Sequence, residues 1–189
     1  MSGKTTPSQT VGPYFSIGMD WLNRSDLTHG ASGGERVTIR GRILDGEGQP
    51  VPDACLELWQ ADAQGKYAQP ENSQEKSPDG EFFGFGRVPV NDLGEFSFTT
   101  IKPGSVPGLD GRPQAPHILI TVFMRGLLRR LVTRLYFPDA SGHATDHVLN
   151  LAPTERRATL IARPLAEEPH TFEWNICLQG EHETVFFDC

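Results

Sequence analysis

Six histidines, three tyrosines, three cysteines and an arginine-rich run are the side chains with which this 189-residue chain could do chemistry. His117 stands at the mouth of a strongly apolar stretch, Ala115-Pro116-His117-Ile118-Leu119-Ile120. A metal site needs three or four converging donors. The position two residues on, which shares a strand face with His117, is Leu119. On spacing alone His117 is therefore a hydrogen-bonded core histidine. His143 and His147 flank Ala144-Thr145-Asp146, a spacing that suits zinc on a helix. Ser141-Gly142 and the lack of helical periodicity place that pair in a loop instead. Neither a glycine-rich phosphate loop nor a serine nucleophile motif is present, so the chain advertises no active site of its own.

The run Arg125-Gly126-Leu127-Leu128-Arg129-Arg130-Leu131-Val132-Thr133-Arg134 joins two apolar segments. Its plain reading is a solvated hairpin, since arginines are common at strand ends. Its functional reading is that Arg125, at the end of a strand, aims a guanidinium at an anion such as a carboxylate.

The elements that would position these groups are mostly strands. Val37, Ile39 and Ile43 alternate with polar residues, and Asp45-Gly46 breaks the run. Ala54 to Trp59 and Glu95 to Thr99 alternate in the same way. Ile118 to Met124 is nearly continuous in apolar residues, as expected for a central strand buried on both faces. Leu131 to Phe137, Thr159 to Ala162, Thr171 to Leu178 and the closing Thr184-Val185-Phe186-Phe187 are further candidates. The pattern predicts an all-β fold, an antiparallel β-sandwich of seven to eight strands with long loops, the segment Gln60 to Arg87 being the longest. Residues 1–35 form an extended arm expected to pack on the domain or a partner, and 36–189 the sandwich domain. Val11, Tyr14, Phe15, Ile17, Met19, Trp21 and Leu22 give the arm its apolar character.

Composition narrows the partners. A net charge of −7 argues against nucleic acid, which demands clustered positive charge. No apolar run approaches the roughly 20 residues of a membrane helix. Cys55, Cys177 and Cys189 are odd in number and far apart, and the N-terminus has no hydrophobic signal region, so a cytoplasmic protein is expected.

Four segments together resemble the intradiol ring-cleaving dioxygenases. They are Thr6-Pro7-Ser8-Gln9-Thr10-Val11-Gly12-Pro13-Tyr14-Phe15, Leu58-Trp59-Gln60-Ala61-Asp62-Ala63-Gln64-Gly65-Lys66-Tyr67, Phe96-Ser97-Phe98-Thr99-Thr100-Ile101-Lys102-Pro103-Gly104 and Gln179-Gly180-Glu181-His182-Glu183-Thr184-Val185-Phe186-Phe187-Asp188. The last is most similar to the alpha-type subunits of two-subunit members. The resemblance implies non-haem Fe(III) chemistry that opens 3,4-dihydroxybenzoate between its hydroxyl-bearing carbons, both atoms of O2 entering 3-carboxy-cis,cis-muconate. The family holds its iron with two tyrosinates and two histidines.

Carried onto this chain, the ligand positions fall on Tyr67, Val106, His117 and Leu119, and an arginine expected nearby falls on Gln114. Valine and leucine have no donor atom, so the resemblance implies a vestigial site with Fe(III) held by an iron-bearing beta subunit. It further implies that Arg125, Thr10, Gly12, Pro13 and Tyr14 contact the aromatic substrate in the partner's cleft. Two alternatives stay open: an autonomous catechol dioxygenase using His143 or His147 as substitute ligands, and a non-catalytic sandwich module.

Overall fold

Period-2 alternation along the chain resolves into two facing sheets in the computed structural model, which describes residues 5–31, 33–68, 82–108 and 111–188. The strands are β1 (Arg36–Leu44), β2 (Cys55–Trp59), β3 (Phe85–Pro89), β4 (Glu95–Ile101), β5 (Val106–Pro107), β6 (Pro113–Gln114), β7 (His117–Phe123), β8 (Leu131–Tyr136), β9 (Arg163–Pro164), β10 (Thr171–Glu173) and β11 (Ile176–Cys177). One sheet runs β11-β1-β10-β9 with β4 also on β1, and the other runs β3-β2-β7-β8. Between them Val37, Ile39, Ile43, Phe98 and Ile176 meet Leu56, Leu58, Ile118, Ile120, Val122 and Leu135, all buried. Each such side chain contributes about 1.5–3 kcal/mol relative to exposure.

The sandwich is as the alternation predicts, with corrections in detail. The first sheet is mixed rather than antiparallel, because β10 and β11 both run parallel to β1. The run Thr171 to Leu178 is two short strands, not one. At the break the backbone of Trp174 crowds β1 so closely that a Cβ on Gly41 would lie 1.7 Å from its carbonyl oxygen. The Asn175 side chain then accepts the Arg42 N–H at 2.9 Å, in place of a ladder partner. Thr159 to Ala162 is no strand: Thr154–Leu160 is a 3-10 helix that buries only Leu160. The segment at 184–187 makes a single bridge, Phe187 to Val132. β7 buries His117, Ile118, Ile120 and Val122 but leaves Leu119, Thr121 and Phe123 half-buried, so it is covered unequally on its two faces. The Gln60 to Arg87 segment ends in β3, while its residues 69–81, like residues 1–4 and Cys189, lie outside the described residues.

The arm lies against its own sandwich. Tyr14–Ile17 forms one helical turn. Beyond it, Arg24 bridges Arg87 of β3 and Asp26 bridges Thr99 of β4, so this stretch laces the edges of the two sheets together. No helix among the described residues is long and apolar enough to cross a membrane.

Candidate active site

Strand register decides which side chains share the outer face of the second sheet. Directly paired residues on neighbouring strands project to the same side. Glu57 pairs with Arg87 and Thr121, and Trp59 pairs with Phe85 and Leu119. Leu119 in turn pairs with Arg134, and His117 with Tyr136. This one face thus carries a charged row under the arm and, beside it, a row of Trp59, Leu119 and Arg134 flanked by His117 and Tyr136.

The four positions that the resemblance assigns to metal ligands can be placed around that second row. Tyr67 stacks on Trp59, ring centres 5.8 Å apart. Val106 is buried on β5, paired with Gln114 on β6. Leu119 occupies the centre of the row. The buried His117 donates Nδ1–H to the carbonyl oxygen of Ala115 at 2.7 Å, which leaves the ring lone pair on Nε2. Burial, aided by the Arg134 charge, pushes the His117 pKa down to about 4.

Arg134 is the group the resemblance did not single out. Its Nη1 donates to Gln114 Oε1 at 2.7 Å and reaches the Tyr136 hydroxyl at 3.4 Å. Gln114 is itself fixed, its Nε2 donating to the Pro107 carbonyl at 3.1 Å. Burial raises the phenol pKa of Tyr67, and that of Tyr136 to about 12, with the Arg134 charge opposing both shifts.

These residues do not fit ferric iron. The metal would ask for two tyrosinate oxygens and two imidazoles, yet the side chains of Val106 and Leu119 offer no donor atom. His143 and His147, the substitute ligands considered above, flank a buried carboxylate, and the buried Nε2 of His143 has no hydrogen-bond partner among the described residues. His143 lies edge-on to Tyr136, ring centres 6.0 Å apart. Between the two histidines, the buried Asp146 accepts N–H bonds from Ala115, Val148 and Leu149 at 2.8–2.9 Å. That makes the loop a packed corner of the second, smaller core. Among the described residues, no group of three His, Cys, Asp or Glu side chains is placed to hold a metal ion.

The residues expected to touch substrate gather elsewhere, at the end of β7. Val11, Gly12, Pro13, Phe15, Asp53 and Arg125 line a cleft of about 410 Å³. Thr10 accepts the Gly126 N–H on its hydroxyl at 2.8 Å, beside Arg125 in the chain. Arg125 is 80% exposed and ion-paired at 2.8 Å with Asp53, a carboxylate that the sequence did not flag. Tyr14 is 77% exposed and does not line the cleft, whereas Ile17, also exposed, does.

Arg87 also escaped notice in the sequence. Its side chain is fully buried, and its guanidinium donates to the Phe15 carbonyl and, at 2.7 Å, to Asn23 Oδ1. It sits 4.6 Å from the centre of the Phe15 ring. Nothing in a lone arginine between glycine and valine announces this, because its partners lie more than sixty residues away.

Comparison with known proteins places this geometry. Residues 11–180 match a family model described as Dioxygenase. The chain is 41% identical to the protocatechuate 3,4-dioxygenase alpha chain of Burkholderia cepacia, over 98% of both chains. It is 34% identical to the beta chain of the same name and organism, over 86% of this chain and 72% of that one. Among solved structures, the dioxygenase domain of a dioxygenase carbohydrate-binding protein fusion from Streptomyces sp. SirexAA-E superposes with a TM-score of 0.65 at 26% identity, over 94% of this chain and 99% of that one.

Proposed function

The chain belongs to the intradiol dioxygenases, and within that family we propose that it is the iron-free, alpha-type subunit of a protocatechuate 3,4-dioxygenase. The observation that carries the reading is the end-to-end likeness to a chain named alpha, when the beta chain of the same name is a more distant relative. The pocket chemistry points the same way, since Val106 and Leu119 offer no donors where the family has ligands.

On this reading the ring-opening chemistry belongs to Fe(III) held by a beta-type partner, and this chain shapes the pocket in which it happens. Arg125, oriented by Asp53, presents a fixed cation to the benzoate carboxylate and aligns the ring. Asp53 is only partly exposed and competes for that cation, so the substrate carboxylate shares the guanidinium rather than meeting a free one. Thr10, Gly12 and Pro13 supply a wall of backbone and small side chains that lets an aromatic ring approach closely. Tyr14, Ile17 and Trp21, exposed on the arm, are the apolar surface the partner covers.

The test is expression of this chain with and without an iron-bearing beta-type chain, followed by oxygen uptake on 3,4-dihydroxybenzoate. The complex turns over and this chain alone does not. Arg125→Ala in the complex raises KM by about tenfold with a smaller change in kcat, as expected for a group that orients substrate. Turnover by the isolated chain would overturn the proposal.

A further inference from the structure

Apart from Asp53 and Arg125, every described residue lining the cleft at the end of β7 belongs to the arm, between Val11 and Ile17. That wall has little of its own to hold it in place. Its helical turn, Tyr14–Ile17, buries no residue and has no side chain capping its N-terminus. So short a helix without a buried face has no stability by itself. The turn does link its own residues tightly. The Phe15 N–H donates to the Gly12 carbonyl at 3.1 Å, and the Ile17 N–H to the Pro13 carbonyl at 3.0 Å. Whatever holds Phe15 therefore also holds Gly12 and Pro13.

Arg87 holds Phe15. Its fully buried guanidinium donates from Nη2 to the Phe15 carbonyl, lies against the Phe15 ring, and donates from Nη1 to Asn23 Oδ1 at 2.7 Å. The backbone of Arg87 exchanges two N–H bonds with Arg24, at 2.8 and 3.2 Å. One residue of β3 thus grips the arm at Phe15, Asn23 and Arg24. The other side of the Phe15 ring's surroundings is Phe123, ring centres 5.0 Å apart, on the strand that ends two residues before Arg125.

Resting on the reading of this chain as the subunit that completes a partner's substrate pocket, we propose that Arg87 is a positioning residue for that reaction. Through Phe15 it sets how far the wall at Gly12 and Pro13 stands from the cation of Arg125. Arg125 and Asp53 follow directly on β7 and precede β2, so the sheet places one side of the cleft and Arg87 the other. A guanidinium suits the task because its planar fork serves two acceptors at once, which a single ammonium does not do in the same geometry. Its bonds are buried, so losing them is not made good by water. A shift of about 1 Å in a wall that positions substrate is enough to weaken binding and turnover severalfold or more.

The experiment assembles wild-type, R87L and R87K chains with an iron-bearing beta-type chain and normalises every value to bound iron. Binding of 3,4-dihydroxybenzoate is titrated under nitrogen, where no ring opens, and KM is measured in air. R87L raises both Kd and KM by about fivefold or more, and R87K, which replaces one bond of the fork, gives an intermediate rise. A merely structural role would instead lower the yield of assembled complex and leave Kd and KM per iron site at the wild-type values. That result in R87L, or in R87K should R87L fail to assemble, overturns the inference. A wild-type complex that neither binds nor opens the substrate would sink the reading beneath it, so the two failures are distinguishable.

Discussion

The guanidinium of Arg87 donates to the backbone carbonyl of Phe15 and packs against the ring of the same residue, centre 4.6 Å away. A fully buried cation on β3 therefore fastens the arm from both its polar and its apolar side. Glu57, whose carboxylate is 3.9 Å from Arg87 Nε, balances the charge from the neighbouring strand.

Arg87→Leu keeps the bulk but removes the bonds to Phe15 and Asn23 and leaves Glu57 uncompensated. A loss of about 3 kcal/mol in urea unfolding is expected. Limited proteolysis should cut near residues 14–23 at least tenfold faster. An arm that remains protected in this variant would show that Arg87 is not its anchor.

Gly41 and Gly12 make a matched pair. A Cβ on Gly41 would stand 1.7 Å from the Trp174 carbonyl oxygen, whereas one on Gly12 would meet nothing within 4 Å. Gly41→Ala should cost about 3 kcal/mol or prevent folding, and Gly12→Ala should stay within about 0.5 kcal/mol of wild type. Thermal denaturation of the two variants side by side makes the check.

Asp146 accepts three backbone N–H bonds in the packed corner beside Ala115. Asp146→Ala strands those donors in a buried setting, at an expected cost of about 3 kcal/mol by chemical denaturation. If the cost proved below about 1 kcal/mol, water would have to reach this corner.

His117 gives stability a pH dependence with a definite sign. Burial first, then the Arg134 charge, lowers its folded pKa to about 4, against 6.5 for a free histidine. Above pH 6.5 the ring is neutral in both states and no proton uptake favours unfolding. Below it the unfolded chain takes up a proton that the folded chain refuses, so stability falls until about pH 4. The total is roughly 3 kcal/mol. His117→Gln should flatten the pH 4–6.5 limb of the urea-unfolding profile. Below it, the lowered carboxyls of Asp26 and Asp139 take over the decline in both proteins.

Strand existence was legible because alternation follows directly from burial of one face, and β1, β2, β4 and β8 sit where the pattern put them. The break at Trp174–Asn175 was hidden, since Phe172, Trp174 and Ile176 keep perfect period 2 straight through it. The parallel pairing was equally hidden, because alternation carries no strand direction. For the site, Val106 and Leu119 could be read from sequence as donors lost. Arg134, Arg87 and Asp53 could not. Each acquires its meaning from a partner brought close only by register or by a distant loop. Arg125 stood out in the sequence as a cation at a strand end, but the carboxylate that holds it lies seventy-two residues earlier.

The most direct measurement is an anomalous difference map at the iron edge, from crystals of this chain bound to its beta-type partner and 3,4-dihydroxybenzoate. One iron peak per pair is expected, coordinated wholly by the partner, with Arg125 of this chain facing the substrate carboxylate and no peak beside Val106 and Leu119. An iron peak bonded to Tyr67 and His117 would contradict it.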